Sequence, residues 1–161
     1  MGFPYRFAMS EPTLHFATTR DGWRIALHHR PPARGDHGTP VILCHGMGSN
    51  RFNMDGPGRV SLARHLSESG YDVWVLELRG AGKSRRRLRV PPVPWSWTFE
   101  DYVQHDVPAA LRLVRELTGH SRLLWVGHSL GGMIAYASLM TPAAESFAGV
   151  VTLGSPGMTD V

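Results

Sequence analysis

Hydrophobic residues along this chain form short continuous runs, separated by glycine-rich turns and by stretches of helical spacing. Short apolar runs bounded by turn residues are typical of buried strands. A short helix is expected at residues 62–66, and residues 85–97 look irregular. Because helical stretches separate most of the runs, the pattern favours an α/β fold: a mostly parallel sheet of about six strands with helices on both faces. The predicted strands cover residues 14–18, 23–30, 41–44, 71–78, 123–126 and 149–153.

The longest helical pattern follows Thr98, which together with Asp101 three positions later resembles a capping box. Pro108 should break or kink this segment, because a proline disfavours the α conformation of the residue before it. We therefore expect a short helix and then a main helix over residues 108–117. Gly119 is the residue expected to close it.

The most specific motif is Gly127-His128-Ser129-Leu130-Gly131, which lies between an apolar run and a helical stretch. A strand that turns abruptly into a helix puts the middle residue of G-x-S-x-G on a strained corner, with its hydroxyl clear of the sheet. The flanking glycines remove side chains that would collide there. The N-terminus of the next helix favours an anionic intermediate at the same point. The motif alone is a common chance match, but this context predicts that Ser129 is a nucleophile.

A second glycine-rich turn, His45-Gly46-Met47-Gly48, directly follows the strand at residues 41–44. Such a turn can aim a backbone N–H into the space above Ser129, where the N–H of Leu130 would supply a second donor. Two preorganised donors facing a developing oxyanion lower a barrier by roughly a few kcal/mol. The alternative is an ordinary strand-to-helix turn. His45 itself is expected to orient the turn rather than to move protons.

The composition, 161 residues with 42% hydrophobic and 19% charged residues, is that of a globular domain with its own core. No apolar run approaches the roughly 18 residues needed to cross a bilayer, so stable membrane insertion is not expected. Residues 1–12 are a loose lead-in without the apolar core of a secretion signal. The single cysteine, Cys44, rules out an internal disulfide and is compatible with a reducing compartment. We expect a cytoplasmic location.

Much of the net charge of +4 lies in residues 83–89, which predict either a solvated loop or a patch for acidic lipid or nucleic acid. No aromatic residue interrupts this run and no nucleic-acid motif accompanies it, so nucleic acid is not an expected partner. The preceding turn, Gly80-Ala81-Gly82-Lys83-Ser84, resembles a phosphate loop. Because Glu77 stands where that motif needs a glycine, nucleotide binding is not expected. The nearby Trp95 and Trp97 either line an acyl pocket or pack a surface loop.

Together these motifs resemble the α/β-hydrolase family of the esterase and lipase type, over about residues 14–156. The resemblance implies that Ser129 is acylated by an ester or amide and then released by water. It also implies that the backbone N–H groups of Met47 and Leu130 form the oxyanion hole, and that the substrate is a small ester or lipid-like molecule. No cofactor or metal is implied. The matching segments are His45-Gly46-Met47-Gly48, Leu78-Arg79-Gly80-Ala81-Gly82-Lys83-Ser84 and Gly127-His128-Ser129-Leu130-Gly131-Gly132.

The chain departs from this family at the proton relay. Serine is a weak nucleophile unless a histidine takes its proton and an acid holds that histidine. The family places the acid and then the histidine after the serine, yet all nine histidines here lie at or before His128. His128 adjoins the nucleophile, so its side chain should point away from the hydroxyl. Only Glu145 and Asp160 are acids beyond Ser129, and Asp160 is the candidate because it follows the last strand.

We therefore interpret residues 1–161 as a single incomplete domain, the N-terminal part of such a hydrolase, which is weak or inactive by itself. The last predicted strand, residues 149–153, is apolar on both faces and would leave an edge prone to association. Three alternatives stay open: a serine hydrolase that has lost its C-terminal part, a non-catalytic chain that binds a ligand or partner, and a split enzyme completed by another polypeptide. Acyl transfer would use the same elbow.

Overall fold

The computed structural model describes residues 11–34, 38–57, 60–86 and 96–157. Short helical turns complete the elements: two 3-10 helices, Arg51–Asn53 and Pro142–Ser146, and one π-helix, Tyr102–Asp106. The α-helices are α1 (Leu62–Glu68), α2 (Phe99–Asp101), α3 (Val107–Thr118) and α4 (Leu130–Ser138). The strands are β1 (Thr13–Thr18), β2 (Trp23–Arg30), β3 (Val41–Cys44), β4 (Val73–Glu77), β5 (Arg85–Arg86), β6 (Leu123–His128) and β7 (Phe147–Leu153).

The strands form one sheet in the order β1-β2-β4-β3-β6-β7, and the short β5 pairs with β2 outside this path. Strands β3, β4, β6 and β7 run parallel, whereas β2 is antiparallel to both β1 and β4. This topology confirms the predicted α/β class. Because the parallel strands share a direction, the motifs that follow β3, β4 and β6 all emerge at one edge of the sheet.

Helices cover both faces of the central strands, which explains why β3 and β4 are apolar throughout rather than alternating. Every residue of these two strands is buried. On one face Ile42 and Trp74 pack with residues of α3 and α4, and on the other Leu43 and Val75 pack with Ala63 of α1. Successive residues of a strand point to opposite faces, so each strand feeds both core layers.

Strand β7 lies at the end of the sheet and is more exposed than the other parallel strands. Val151 and Leu153 are 53% and 41% exposed. The strand also begins two residues before the predicted 149–153, because Phe147 is buried with its ring 5.9 Å from that of Trp125. Within the described ranges β7 pairs with β6 alone. Association through this edge stays a prediction.

The expected break at Pro108 is absent, although the short helix before it and the main helix after it are both present. Val107 adopts the α conformation (φ −60°, ψ −52°) despite preceding the proline. The π-helix accommodates this, since its wide turn lets the Val107 N–H reach the Tyr102 carbonyl. Gly119 closes α3 as predicted, in a left-handed conformation with φ of 75°.

The segment after the turn at residues 80–84 begins as a strand rather than as irregular chain. Arg85 and Arg86 were expected to be irregular but form β5, paired with Trp23 and Arg24 of β2. Trp95 lies outside the described residues, as does the candidate acid Asp160.

Candidate active site

Ser129 stands at the corner between β6 and α4. Its backbone has φ of 49° and ψ of −114°, and it is the one non-glycine residue with a positive φ in the described ranges. A conformation of this kind costs on the order of 1–3 kcal/mol and persists only where the surrounding structure imposes it. The Ser129 N–H is tied to the carbonyl of Leu153 on β7 at 3.0 Å. The strained corner is therefore the one that the G-x-S-x-G spacing predicts.

Two glycines create the space that this corner needs. A Cβ on Gly127 would collide with the backbone of Gly131, and a Cβ on Gly131 would lie 2.5 Å from the carbonyl oxygen of Cys44. The indole Nε1 of Trp125 donates to the Gly131 carbonyl at 3.1 Å. The start of α4 thus packs against the ends of β6 and β3 through backbone atoms, which no larger residue would allow.

The turn after β3 comes into direct contact with the elbow. A Cβ on Gly46 would lie 3.0 Å from His128 Nδ1 and 3.3 Å from Ser129 Cβ. Gly48 has φ of 66° and lets the chain turn away again. The structure therefore brings the two predicted motifs together at Ser129.

His45 holds this turn and has both ring nitrogens engaged. Its Nδ1–H donates to the Gly46 carbonyl at 2.7 Å, and its Nε2 accepts from the Leu78 N–H at 3.1 Å. Burial lowers the pKa of His45, although the Gly46 carbonyl and the Glu77 carboxylate act in the opposite direction. A neutral imidazole with both nitrogens occupied is suited to orienting the loop, not to moving protons.

Asn53 joins the two motifs, and the sequence analysis missed it. Its Oδ1 accepts from the Gly46 N–H at 3.2 Å and from His128 Nδ1 at 2.9 Å. The His128 ring is therefore bonded to Asn53, which occupies its Nδ1. Since the bond to His128 spans 75 positions in the chain, no local pattern could have signalled it.

A cleft of about 290 Å³ opens where these turns meet, and Met47 and Leu130 both line it. No described acceptor takes a hydrogen bond from the Met47 N–H. The Leu130 N–H is the first of α4, and the first N–H groups of a helix have no partner within it. The wall of the cleft includes Trp97, whose Nε1 donates to the Tyr102 hydroxyl at 2.6 Å. The arrangement offers two backbone donors beside a partly aromatic cavity.

Buried Glu77 fastens the turn after β4 to the rest of the site. Its carboxylate accepts from the Lys83 N–H at 2.8 Å, from the Arg51 N–H at 3.1 Å and from His28 Nε2 at 3.0 Å. Burial alone would raise the pKa of Glu77, but these hydrogen bonds outweigh it and lower the pKa. A Cβ on Gly82 would collide with this carboxylate. The Glu77 carboxylate thus lies directly against Gly82 inside this turn.

Arg79 forms a second buried network at the same edge. Its backbone N–H and Nε each donate to Asp106 at 2.9 Å, and its NH1 donates to Asp21 at 2.7 Å. Burial would lower the pKa of Arg79, but Asp106 and Asp21 raise it. Ligand atoms of Asp21, Asp101 and His105 lie close enough together to hold a metal. Because the Arg79 guanidinium bonds Asp21 and lies 3.8 Å from Asp101, it already supplies a cation to this group.

The proton relay of Ser129 is not assembled within the described part of the chain. No described residue hydrogen-bonds the Ser129 hydroxyl. The histidines of the two motifs, His45 and His128, are bonded to other partners. Glu145 is exposed on the 3-10 helix before β7. Among the described residues, none is therefore placed to take a proton from the Ser129 hydroxyl.

Among the described helices, none has the length and the apolar composition required to cross a membrane.

Comparison with known proteins gives a consistent result. A family model described as the alpha/beta hydrolase fold matches residues 39–160. Lipase member K of Homo sapiens is 33% identical over 150 residues, which make up 87% of this chain and 36% of that protein. Triacylglycerol lipase 2 of Arabidopsis thaliana is 33% identical over 135 residues, or 77% of this chain and 32% of that protein. The chain spans about a third of the length of these relatives.

Solved structures share the fold. An alpha-beta serine hydrolase homologue from Coxiella burnetii superposes with a TM-score of 0.70 at 18% identity, covering 96% of this chain and 68% of that one. At this identity the likeness concerns the fold alone.

Proposed function

This chain belongs to the alpha/beta hydrolase fold family, and from that premise we propose that it carries the nucleophile of a serine hydrolase that cleaves acyl esters. The observation that carries the proposal is the strained backbone of Ser129, with φ of 49°, directly against the turn that contains Met47. Strain of this kind persists where a function requires the position. The catalytic residue is Ser129, and the Met47 and Leu130 N–H groups form the oxyanion hole.

The proposed reaction has two steps. The Ser129 Oγ attacks the carbonyl carbon of the ester while a base takes its proton, and the alcohol leaves with a proton. Water then attacks the acyl-enzyme, and the carboxylic acid is released. In each step the carbonyl oxygen becomes an oxyanion that accepts from the Met47 and Leu130 N–H groups, and such donors each contribute about 3 kcal/mol in comparable sites.

The base and the acid come from outside the residues that the structure describes. The lipase names of the relatives support an ester or lipid-like substrate for the whole protein, as does the partly aromatic cleft that Met47 and Leu130 line. One observation favours a second candidate, a non-catalytic ligand-binding chain: no described residue contacts the Ser129 hydroxyl by a hydrogen bond. Acyl transfer to an acceptor other than water would use the same groups.

Labelling with a fluorophosphonate probe in the presence and absence of imidazole tests the proposal. If a base is what the described site lacks, added imidazole supplies it and accelerates phosphonylation of Ser129. We expect imidazole-dependent labelling of the wild-type chain. The Ser49→Ala variant is the control, because Ser49 also lines the cleft, and it should be labelled like the wild type. Ser129→Ala should remain unlabelled.

Absence of labelling at any imidazole concentration, in a chain with a folded circular-dichroism spectrum, would favour the non-catalytic alternative. Rapid labelling of the chain without imidazole would show instead that a base exists within these residues.

A further inference from the structure

Three arginines line a groove on the side of α3 that faces the 3-10 helix Pro142–Ser146. The groove has a volume of about 540 Å³, within the range of small-molecule sites. It shares no lining residue with the cleft beside Ser129. We call it the arginine groove and define it by Arg20, Arg112, Arg115, Gln104, Leu111 and Ala143.

Hydrogen bonds hold two of the guanidiniums, both from α3, to different neighbouring elements. Arg112 NH2 donates to the Thr18 carbonyl at the end of β1, at 2.9 Å. Arg115 NH1 donates to Ser146 Oγ on the 3-10 helix, at 3.2 Å. A guanidinium has five N–H donors, so each side chain is positioned by one bond and keeps most of its donors for another group.

No carboxylate neutralises these three cations within the described ranges. Other arginines of the chain do have such partners, since Arg30 pairs with Asp55 and Arg79 with Asp106. Glu116 lines a neighbouring cavity with Arg112 and Arg115 but does not line the groove. Like charges three positions apart on one helix repel each other. An anion in the groove would remove that repulsion and accept the remaining N–H donors.

The floor between the arginines is apolar. Val103 of the π-helix and Leu111 of α3 are 7% and 2% exposed, and Pro142 and Ala143 of the 3-10 helix also line the groove. A small hydrated anion would leave this surface uncovered. A molecule with an anionic head and an apolar tail would satisfy both parts of the cavity.

We propose that the arginine groove binds a single-tailed anionic amphiphile, with its carboxylate among Arg20, Arg112 and Arg115 and its alkyl tail along Leu111 and Ala143. The proposal is independent of the chemistry at Ser129, because it rests on the charges and the apolar floor of a separate cavity.

Binding of decanoate to the 161-residue chain, followed by amide NMR shifts below the micelle concentration, tests the proposal. We expect saturable shifts at residues 103–115 and 141–146. Acetate lacks the tail and decyltrimethylammonium reverses the charge of the head. Each should therefore bind at least ten-fold more weakly, and raised salt should weaken decanoate binding.

Two groove variants and one control variant distinguish binding in the arginine groove from a general effect of the net charge of the chain. Arg112→Ala with Arg115→Ala should weaken decanoate binding at least ten-fold. Gln104→Glu, which nearly preserves shape and breaks none of the bonds described above, should weaken it at least three-fold by placing a carboxylate in the groove. Arg34→Ala with Arg85→Ala removes the same charge from exposed positions elsewhere and should change binding less than two-fold.

Unchanged decanoate binding in both groove variants would overturn the proposal. So would shifts confined to residues 45–50 and 78–82 beside Ser129, equal binding of decyltrimethylammonium, or no saturable binding of decanoate.

Discussion

Two glycine-containing turns lie at the carboxyl edge of the sheet, one after β4 and the other after β6, with β3 between them. They are stabilised in different ways. The elbow at Ser129 is enclosed by backbone atoms, with Gly127 and Gly131 in contact across it. The turn at residues 80–84 is enclosed by buried charge, with Glu77 bonded to the Lys83 N–H and Arg79 bonded to Asp106. The first depends on the absence of side chains, and the second on side chains that are ionised.

This difference indicates which perturbations each turn tolerates. A backbone-packed corner is insensitive to pH but cannot accept a single methyl group. A turn held by carboxylates tolerates small changes of volume but depends on protonation. The site combines both, so that the position of Ser129 is fixed by shape while the wall of the cleft is fixed by charge.

The largest expected effect comes from filling the elbow. Gly131→Ala should lower the free energy of unfolding by roughly 4 kcal/mol, because the new Cβ meets the backbone of Cys44, which cannot move aside. Gly157→Ala is the matched control, since its Cβ would meet nothing within 4 Å. Chemical denaturation measures both. A loss below about 1 kcal/mol for Gly131→Ala would contradict the close packing described.

Breaking the charge network comes next. Asp106→Asn should cost about 3 kcal/mol, because it leaves the buried Arg79 guanidinium with a weaker partner. Asp21→Asn removes a partner whose side chain is 30% exposed and should cost less. Equal losses of stability in the two variants would show that the burial of the Arg79–Asp106 ion pair does not determine its contribution to stability.

The elbow and the sheet could be predicted from sequence because each depends on short-range patterns. Buried strands require continuous apolar runs, and a strained corner requires glycines at fixed offsets from Ser129. The predicted start of β7, residue 149, is two residues late. The packing of Phe147 on Trp125 is a tertiary contact, which the apolar run does not reveal.

The side chains that hold these turns in place, Asn53 and Glu77, were not predictable, since their bonding partners are remote in sequence. Asn53 reaches His128 across 75 positions, and Glu77 reaches His28 across 49. An asparagine in a polar stretch and a glutamate at a strand end carry no sign of such contacts.

The pH dependence of the free energy of unfolding also distinguishes the charged turn from the elbow. Glu77→Gln should lower the free energy of unfolding by roughly 2 kcal/mol at neutral pH, because a charged acceptor is replaced by a neutral one. The lowered pKa of Glu77 gives stability that is present above its unfolded pKa of about 4.3 and is lost as the pH falls through its lower folded pKa. The difference between wild type and variant should therefore shrink below about pH 4. A constant difference across that range would contradict the charged network.

The smallest expected effect is a gain. Ser129→Gly should stabilise the fold by about 1 kcal/mol relative to Ser129→Ala, because glycine adopts the positive φ without the cost that alanine keeps. Thermal unfolding of the two variants checks this. Equal stability would mean that the corner carries no strain.

The central position of β3 has a consequence for synthesis of the chain. One edge of β3 pairs with β4. The other edge pairs with β6, which leaves the ribosome about 80 residues after β3. At about 5–20 residues per second the apolar segment Val41–Cys44 has an open edge for on the order of several seconds. Closure of that edge also brings Gly46 against Ser129. Pairing of β6 therefore covers the open edge of β3 and brings the turn after β3 to Ser129 in the same event.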